Sequence, residues 1–246
     1  MMIVRIISIL SLLVGTVFAE IRDPELREIL QQYRATLLSE SHPEGLQTLV
    51  IQGTSQNVGG LESKIEILRK FPNKIRIETI QKNGIEVMVG FNGTAGWGRI
   101  EDHRRVHHTG QEAKGSIDWL RFRSNFENHL LRALKNDETV QIARLPDYQV
   151  PKSNLVLHVV EAKDGSGICY TYYLNSTTDG LDRIRIEAQN APLIELRYAQ
   201  KRRIEGFLLP HRIEHYQDGV LLSFENYRKI TVNKFLNNFL FDRPGY

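Results

Sequence analysis

The chain has 246 residues, 41% hydrophobic and 25% charged, with 32 basic and 29 acidic side chains giving a formal net charge of +3. That near-neutral balance argues against non-specific nucleic-acid binding, which depends on a concentrated basic face. A single cysteine, Cys169, excludes an intrachain disulfide, so stability must come from an ordinary core.

Residues 1–19, MMIVRIISILSLLVGTVFA, have the form of a cleavable secretory signal: one charge at Arg5, an apolar run from Ile6, and Ala19 before a cut at Glu20. The run from Ile6 to Ala19 is shorter than the ~20 apolar residues of a spanning helix, and a charged segment follows at once. No cysteine sits at the cut to carry a lipid anchor. Removing 19 of the 246 residues leaves 227 with a net charge of +2. Residues 20–246 are within reach of one large β domain of about 200–250 residues. The expectation is a soluble exported protein, not an integral membrane protein.

Asp23-Pro24 opens an amphipathic helix near 24–38, with Asp as cap and Pro at the first helical position. Leu26, Ile29, Leu30, Tyr33 and Leu37 recur at helical spacing. From Leu46 the period becomes two. Leu49 with Ile51, Ile65 with Ile67, Ile75 with Ile77, and Val87 with Val89 and Phe91 alternate with polar neighbours, and Arg69 follows Ile67 after an apparent shift of phase. Asn83-Gly84 and Asn92-Gly93 punctuate these runs as hairpin turns, which gives a meander of at least four antiparallel strands. A second helix near 116–135 carries the stripe Trp119, Phe122, Phe126, Leu130 and Leu134, with Arg121, Arg123, Asn125, Asn128 and Lys135 facing away. The stripe packs on the sheet as core or covers a ligand cavity.

Further strands run through 155–161, 168–174, 181–187, 193–199, 210–216 and 220–227, with turns at Asp164-Gly165, Asp179-Gly180, Glu205-Gly206 and Asp218-Gly219. About ten strands in one sheet must curl or close. Leu155-Val156-Leu157 with Val159-Val160, and Tyr170 with Tyr172-Tyr173-Leu174, are apolar on both faces. Either both faces are covered or one lines a dry cavity.

Candidate chemistry is sparse. His103, His107 and His108 lack the convergent spacing of a metal site and read as an edge or loop. The basic runs 121–123 and 201–203 read as solvated surface. Gly165-Ser166-Gly167 is no nucleophile elbow, and 93–98 lacks the lysine of a phosphate loop. The triplets Asn92-Gly93-Thr94 and Asn175-Ser176-Thr177 match glycosylation acceptors and read as turns. Cys169, inside an Ile-Cys-Tyr pattern, reads as a small buried hydrophobe. No catalytic residue, cofactor or metal site is assigned, so a binding role is favoured over an enzyme.

The segment Leu68-Arg69-Lys70-Phe71-Pro72-Asn73-Lys74-Ile75-Arg76-Ile77-Glu78, followed by Gly90-Phe91-Asn92-Gly93-Thr94-Ala95-Gly96-Trp97, resembles the central signature of the LolA/LolB-type lipoprotein-sorting family. Residues 206–214, GFLLPHRIE, resemble a "G-hydrophobic-x-L-P-x-R-I" strand of the larger relatives, and 239–244, FLFDRP, their closing "F-x-P" segment. The resemblance implies an α+β fold: a curved antiparallel sheet forming a half-open β-barrel, with helices packed on its concave side around a hydrophobic cavity. It implies a periplasmic carrier for a lipid or lipoprotein acyl chain, or a sensor module of the same fold that recognises an inner- or outer-membrane partner protein. The family's carrier has Arg immediately before the strand-ending Pro, where it helps control the lid. Here that position is Phe71, and neither Arg69 nor Lys70 is given its role. The candidate cavity wall is Ile65, Ile67, Ile75, Ile77, Val87, Val89 and Phe91, with Trp97 near the rim; plain core is the competing reading.

Overall fold

The computed structural model describes residues 21–102, 105–109, 114–126, 128–165 and 167–244. The expected signal segment, its cut at Glu20, and His103 lie outside them, and only the backbone is described for His107 and His108.

Helix α1 spans Pro24–Thr36, with the Asp23 carboxylate accepting from the Glu25 and Leu26 amides at 3.0 and 3.2 Å. Strands β1 (Thr48–Asn57), β2 (Glu62–Lys70), β3 (Lys74–Gln81), β4 (Glu86–Phe91), β5 (Gly96–Asp102) and β6 (Arg105–Thr109) form an antiparallel meander. Two short helices follow, α2 (Lys114–Ser124) and α3 (His129–Leu134). Strands β7 (Val140–Gln149), β8 (Val156–Asp164), β9 (Cys169–Asn175), β10 (Leu181–Glu187) and β11 (Ile194–Ala199) form a second meander. A separate hairpin, β12 (Arg202–Ile204) with β13 (Phe207–Leu209), precedes β14 (Arg212–Gln217) and β15 (Val220–Val232). A 3₁₀ turn covers Asn238–Phe241.

All strands but β12 and β13 join one 13-stranded antiparallel sheet, in the order β6-β5-β4-β3-β2-β1-β15-β14-β11-β10-β9-β8-β7. Its edges, β6 and β7, do not pair with each other, so the sheet is open and not a closed barrel. The sheet therefore has more strands than the ten or so expected. The histidine segment expected as an edge or loop contributes the edge strand β6, whereas β7 has no counterpart among the expected strands: it is largely exposed, and Pro146 falls where its register with β8 shifts, between Leu145 and Tyr148.

The expected single helix over 116–135 is two helices. The Phe126 amide donates to Pro72 O at 3.1 Å, and Asn128 restarts the helix by accepting from the Leu131 amide at 3.2 Å. These interactions divert backbone groups that a continuous helix would pair internally.

Cross-strand pairing puts Leu49, Ile51, Ile67, Ile77, Val89, Val160, Tyr172, Ile184, Leu196 and Tyr227 on the same face of the sheet. Over that face lie two packed patches. One joins β1 to β4 and β15 to Leu120 of α2 and Phe207 of β13. The other joins β8 to β10 to Leu26, Ile29, Leu30 and Tyr33 of α1 and Leu130 of α3. The opposite face carries two smaller clusters, Leu68 with Leu236 and Phe241, and Leu157 with Val159 and Tyr173. The two-sided apolar character of β8 and β9 thus has a simple cause: both faces are covered, one by α1 and α3, the other by Leu145, Val150 and Leu155.

Candidate functional site

Between the two packed patches the sheet and the helices do not meet. They enclose a cavity of about 670 Å³, within the ~300–1,000 Å³ typical of small-molecule sites. Its floor is the middle of the sheet: Leu49 and Ile51 of β1, Ile67 of β2, Leu196 of β11, Ile213 of β14, and Ile230 of β15. Phe122, Phe126, Leu131 and Leu134 come from α2, α3 and the segment between them. Ile213 and Tyr198 sit mid-sheet yet are only half-buried, since empty space lies above them.

The hairpin β12–β13 and the segment after α1 border this space. Leu208 and Leu209 line it from one side, Leu38, Pro43 and Leu46 from the other. The two are tied together: Ser39 Oγ donates to Glu205 O, His42 Nε2 lies 2.7 Å from Glu205 Oε2, and the His42 ring stacks on Phe207 at 5.7 Å. The Glu205 carboxylate raises the His42 pKa. Gly206, at φ +91°, sits where a Cβ would be 2.4 Å from Ser39 Oγ.

A polar cluster is set into the apolar wall. Arg123 donates to both Glu225 oxygens at 2.9 and 2.8 Å, a bidentate pair, and Tyr227 Oη donates to the same carboxylate. Burial, the largest single effect, would raise the Glu225 pKa; the Arg123 charge, His215 and the hydrogen bonds from Arg123 and Tyr227 together outweigh it and hold the carboxyl below its ordinary range. His215 Nε2 lies 3.6 Å from Glu225 Oε1 without a hydrogen bond, and burial pushes its pKa down to about 4, leaving the ring neutral at pH 7. Tyr33 Oη accepts from Asn128 Nδ2 at 2.7 Å, and burial pushes the phenol up to about 12.

Arg69 is different. Its Nη2 donates to Asn125 O at 3.1 Å and its guanidinium lies 4.4 Å from the Phe126 ring centroid, but its Nε is buried without a partner. Among the described residues no carboxylate pairs with it. Burial, with Arg123 second, pushes its pKa down to about 10, so it stays charged at pH 7.

Of the sequence-derived wall, Ile67 lines the cavity. Ile65, Ile75, Ile77 and Phe91 share its face but are packed together beneath α2, with Val89 against them and Arg121 5.6 Å over the Phe91 ring. Val87 pairs with Thr79 and Ile100 on that face and is half-buried. Trp97 is not at the rim. It pairs with Gly90 on the opposite face, where its Nε1 donates to Phe241 O at 2.7 Å. A Cβ on Gly90 would fall 2.4 Å from the indole, so the strand passes there only as glycine.

Three further readings need correction. Arg123, expected on a solvated outer face, is buried against Glu225. Asn125 and Asn128, expected to face away, line the cavity. Arg69 shows no shift of phase: β2 pairs with β1 in unbroken register from Glu62 to Lys70, so Ile65, Ile67 and Arg69 alternate strictly on one face. That alternation was the signal available for Arg69. Glu225 and Tyr227 carried no comparable mark.

Cys169 stands outside the cavity lining, its thiol pushed up to about 11 by burial and by Glu161. Among the described residues no three metal-ligating side chains converge, and no helix is long and apolar enough to cross a membrane. Asn92 and Asn175 each accept from two following backbone amides, as turn residues do.

No protein-family model matches the sequence, and no curated protein does. Solved structures do. A domain from Vibrio parahaemolyticus, provisionally described as that of an outer membrane lipoprotein-sorting protein, is similar with a TM-score of 0.57 at 13% identity, over 88% of this chain and 95% of that one. A DUF1329 family protein from Desulfovibrio piger gives 0.57 at 9% identity, over 89% and 96%. A LolA superfamily protein from Nitrosomonas europaea gives 0.53 at 14% identity, over 89% and 97%. At these identities the likeness is one of fold: the chain has the LolA-like fold, an open antiparallel sheet with helices over one face.

Proposed function

We propose that this protein is a periplasmic carrier that takes the acyl chain of a lipid or lipoprotein into the cavity between sheet and helices, and acts by binding without catalysis. The helices would lie on the concave side of the sheet and roof the ligand. The observation that carries this reading is the apolar space of about 670 Å³ in the middle of an otherwise packed domain. Each methylene buried there would contribute about 0.8 kcal/mol. The fold likeness to a domain described in terms of lipoprotein sorting supports the same reading.

The test compares two enlargements. Ile213 faces the cavity, so Ile213→Trp is expected to leave thermal stability nearly unchanged and to abolish binding of a fluorescent fatty acid. Ile77 is packed beneath α2, so Ile77→Phe is expected to destabilise by about 1–3 kcal/mol through overpacking. Wild-type protein purified from the cell envelope should begin at Glu20 and carry a bound lipid in native mass spectrometry. A wild type that binds no acyl chain, or begins at Met1, would overturn the carrier reading in favour of surface recognition of a partner protein or of a different compartment respectively.

A further inference from the structure

The cavity is apolar in its bulk but one-sided in its charge. Among its described lining residues, Arg34, Arg69, Arg123, Lys135 and Lys201 stand against one carboxylate, Glu44. Arg123 is neutralised by Glu225. Glu44 is occupied by His42 and Asn233, each at 3.3 Å. Burial lowers the Lys201 pKa, with Asp182 opposing. What remains at the heart of the site is Arg69, a cation no described carboxylate answers, with a buried Nε lacking any acceptor.

A guanidinium is costly to desolvate unless a counter-charge and acceptors are supplied. Its fork is matched geometrically by a carboxylate or a phosphate. Asn125 O accepts from Nη2, and Phe126 supports the guanidinium plane, so the group is held in position. The apolar floor, Leu49, Ile51 and Ile67, starts beside it: Arg69 pairs with Leu49 across the β1–β2 ladder. A charged fork beside an apolar trough is the complement of an amphiphile with one anionic end.

We propose that the cavity selects acyl amphiphiles with an anionic head, a carboxylate or a phosphate, and that Arg69 is the residue that pairs with that head. This rests on the acyl-chain reading above and narrows it to a charged class of ligand. No bond is made or broken; the ligand supplies the missing counter-charge to Arg69.

The experiment titrates full-length mature protein with three C16 probes: palmitate, 1-palmitoyl-lysophosphatidic acid and hexadecanol. Wild type is expected to bind at least one of the anions ten-fold or more tighter than the neutral alcohol, and the preferred anion identifies carboxylate or phosphate. Arg69→Leu should bring the anions down to the level of the alcohol while leaving hexadecanol binding unchanged, and Arg69→Lys should keep part of the preference. Circular dichroism melts of both variants separate loss of recognition from loss of fold, and the lysine variant keeps the test decisive if the leucine variant does not fold. Equal wild-type affinity for alcohol and acids, or anion preference undiminished in both variants, would overturn the role of Arg69 while leaving the acyl cavity standing. Failure of all three probes to bind would overturn the acyl cavity itself.

Discussion

Two arginines face one cavity under opposite conditions, and their removal should have opposite effects. Arg123→Leu strands the buried Glu225 carboxylate, which should cost about 3–5 kcal/mol by denaturant unfolding. Arg69→Leu removes a charge that no carboxylate among the described residues pairs with, its Nε buried without a partner, so its melting temperature is expected to equal or exceed that of wild type. A drop for Arg69→Leu as large as that for Arg123→Leu would mean that Arg69 is a structural ion. His215 gives a pH signature. With a folded pKa of about 4 against an ordinary 6.5, the unfolded chain binds a proton between those values that the folded chain refuses. Stability is therefore full above pH 6.5 and declines as pH falls towards 4, by about 3 kcal/mol in all. His129, also pushed down by burial although Asp164 opposes it, acts in the same direction. The decline should be shallower in His215→Gln; parallel melting curves for the two proteins from pH 7 to 4 would refute the assignment.

At the scale of elements, the legible parts were those with a clean period or a named turn. Strands β2, β3 and β4 follow from Ile65-x-Ile67, Ile75-x-Ile77 and Val87-x-Val89-x-Phe91, with Asn-Gly turns between or after them. The start of α1 follows from Asp23-Pro24. The break at 125–128 was not legible, because its cause is tertiary: Pro72 O and Arg69 engage the backbone of Phe126 and Asn125 from a distant turn and strand. Trp97 was misplaced for a similar reason, since periodicity cannot say which face the C-terminal segment will cover. The β4–β5 pair yields a prediction of its own. Gly90→Ala places a methyl group 2.4 Å from the Trp97 ring, which should cost about 1–3 kcal/mol and loosen the indole from Phe241 O. A red-shifted tryptophan emission would report it; unchanged emission and stability would show that the ring has room to move.

Over the whole molecule, the sequence marks which residues are apolar and which face they share, but not where packing stops. Ile67 and Ile77 are cross-strand partners in the same pattern, yet one borders the cavity and the other is sealed under α2. The difference lies in where α2 ends, which the stripe Trp119 to Leu134 does not reveal. For the same reason the cavity could be expected in kind and not located by residue.

The unpaired edges β6 and β7 have a mechanical consequence. In a closed barrel, strand number and stagger fix the radius, and widening the interior requires breaking the ladder. Here the curvature of the sheet can relax strand by strand, each interstrand angle changing by a few degrees with every ladder hydrogen bond kept. If the cavity takes acyl chains as proposed, such a wall would yield to them, and selectivity for ligand length should be shallow. Saturated fatty acids from C12 to C18 should gain less than the ~0.8 kcal/mol per methylene of simple transfer and show no sharp optimum. A narrow maximum at one chain length would show instead that the walls are rigid.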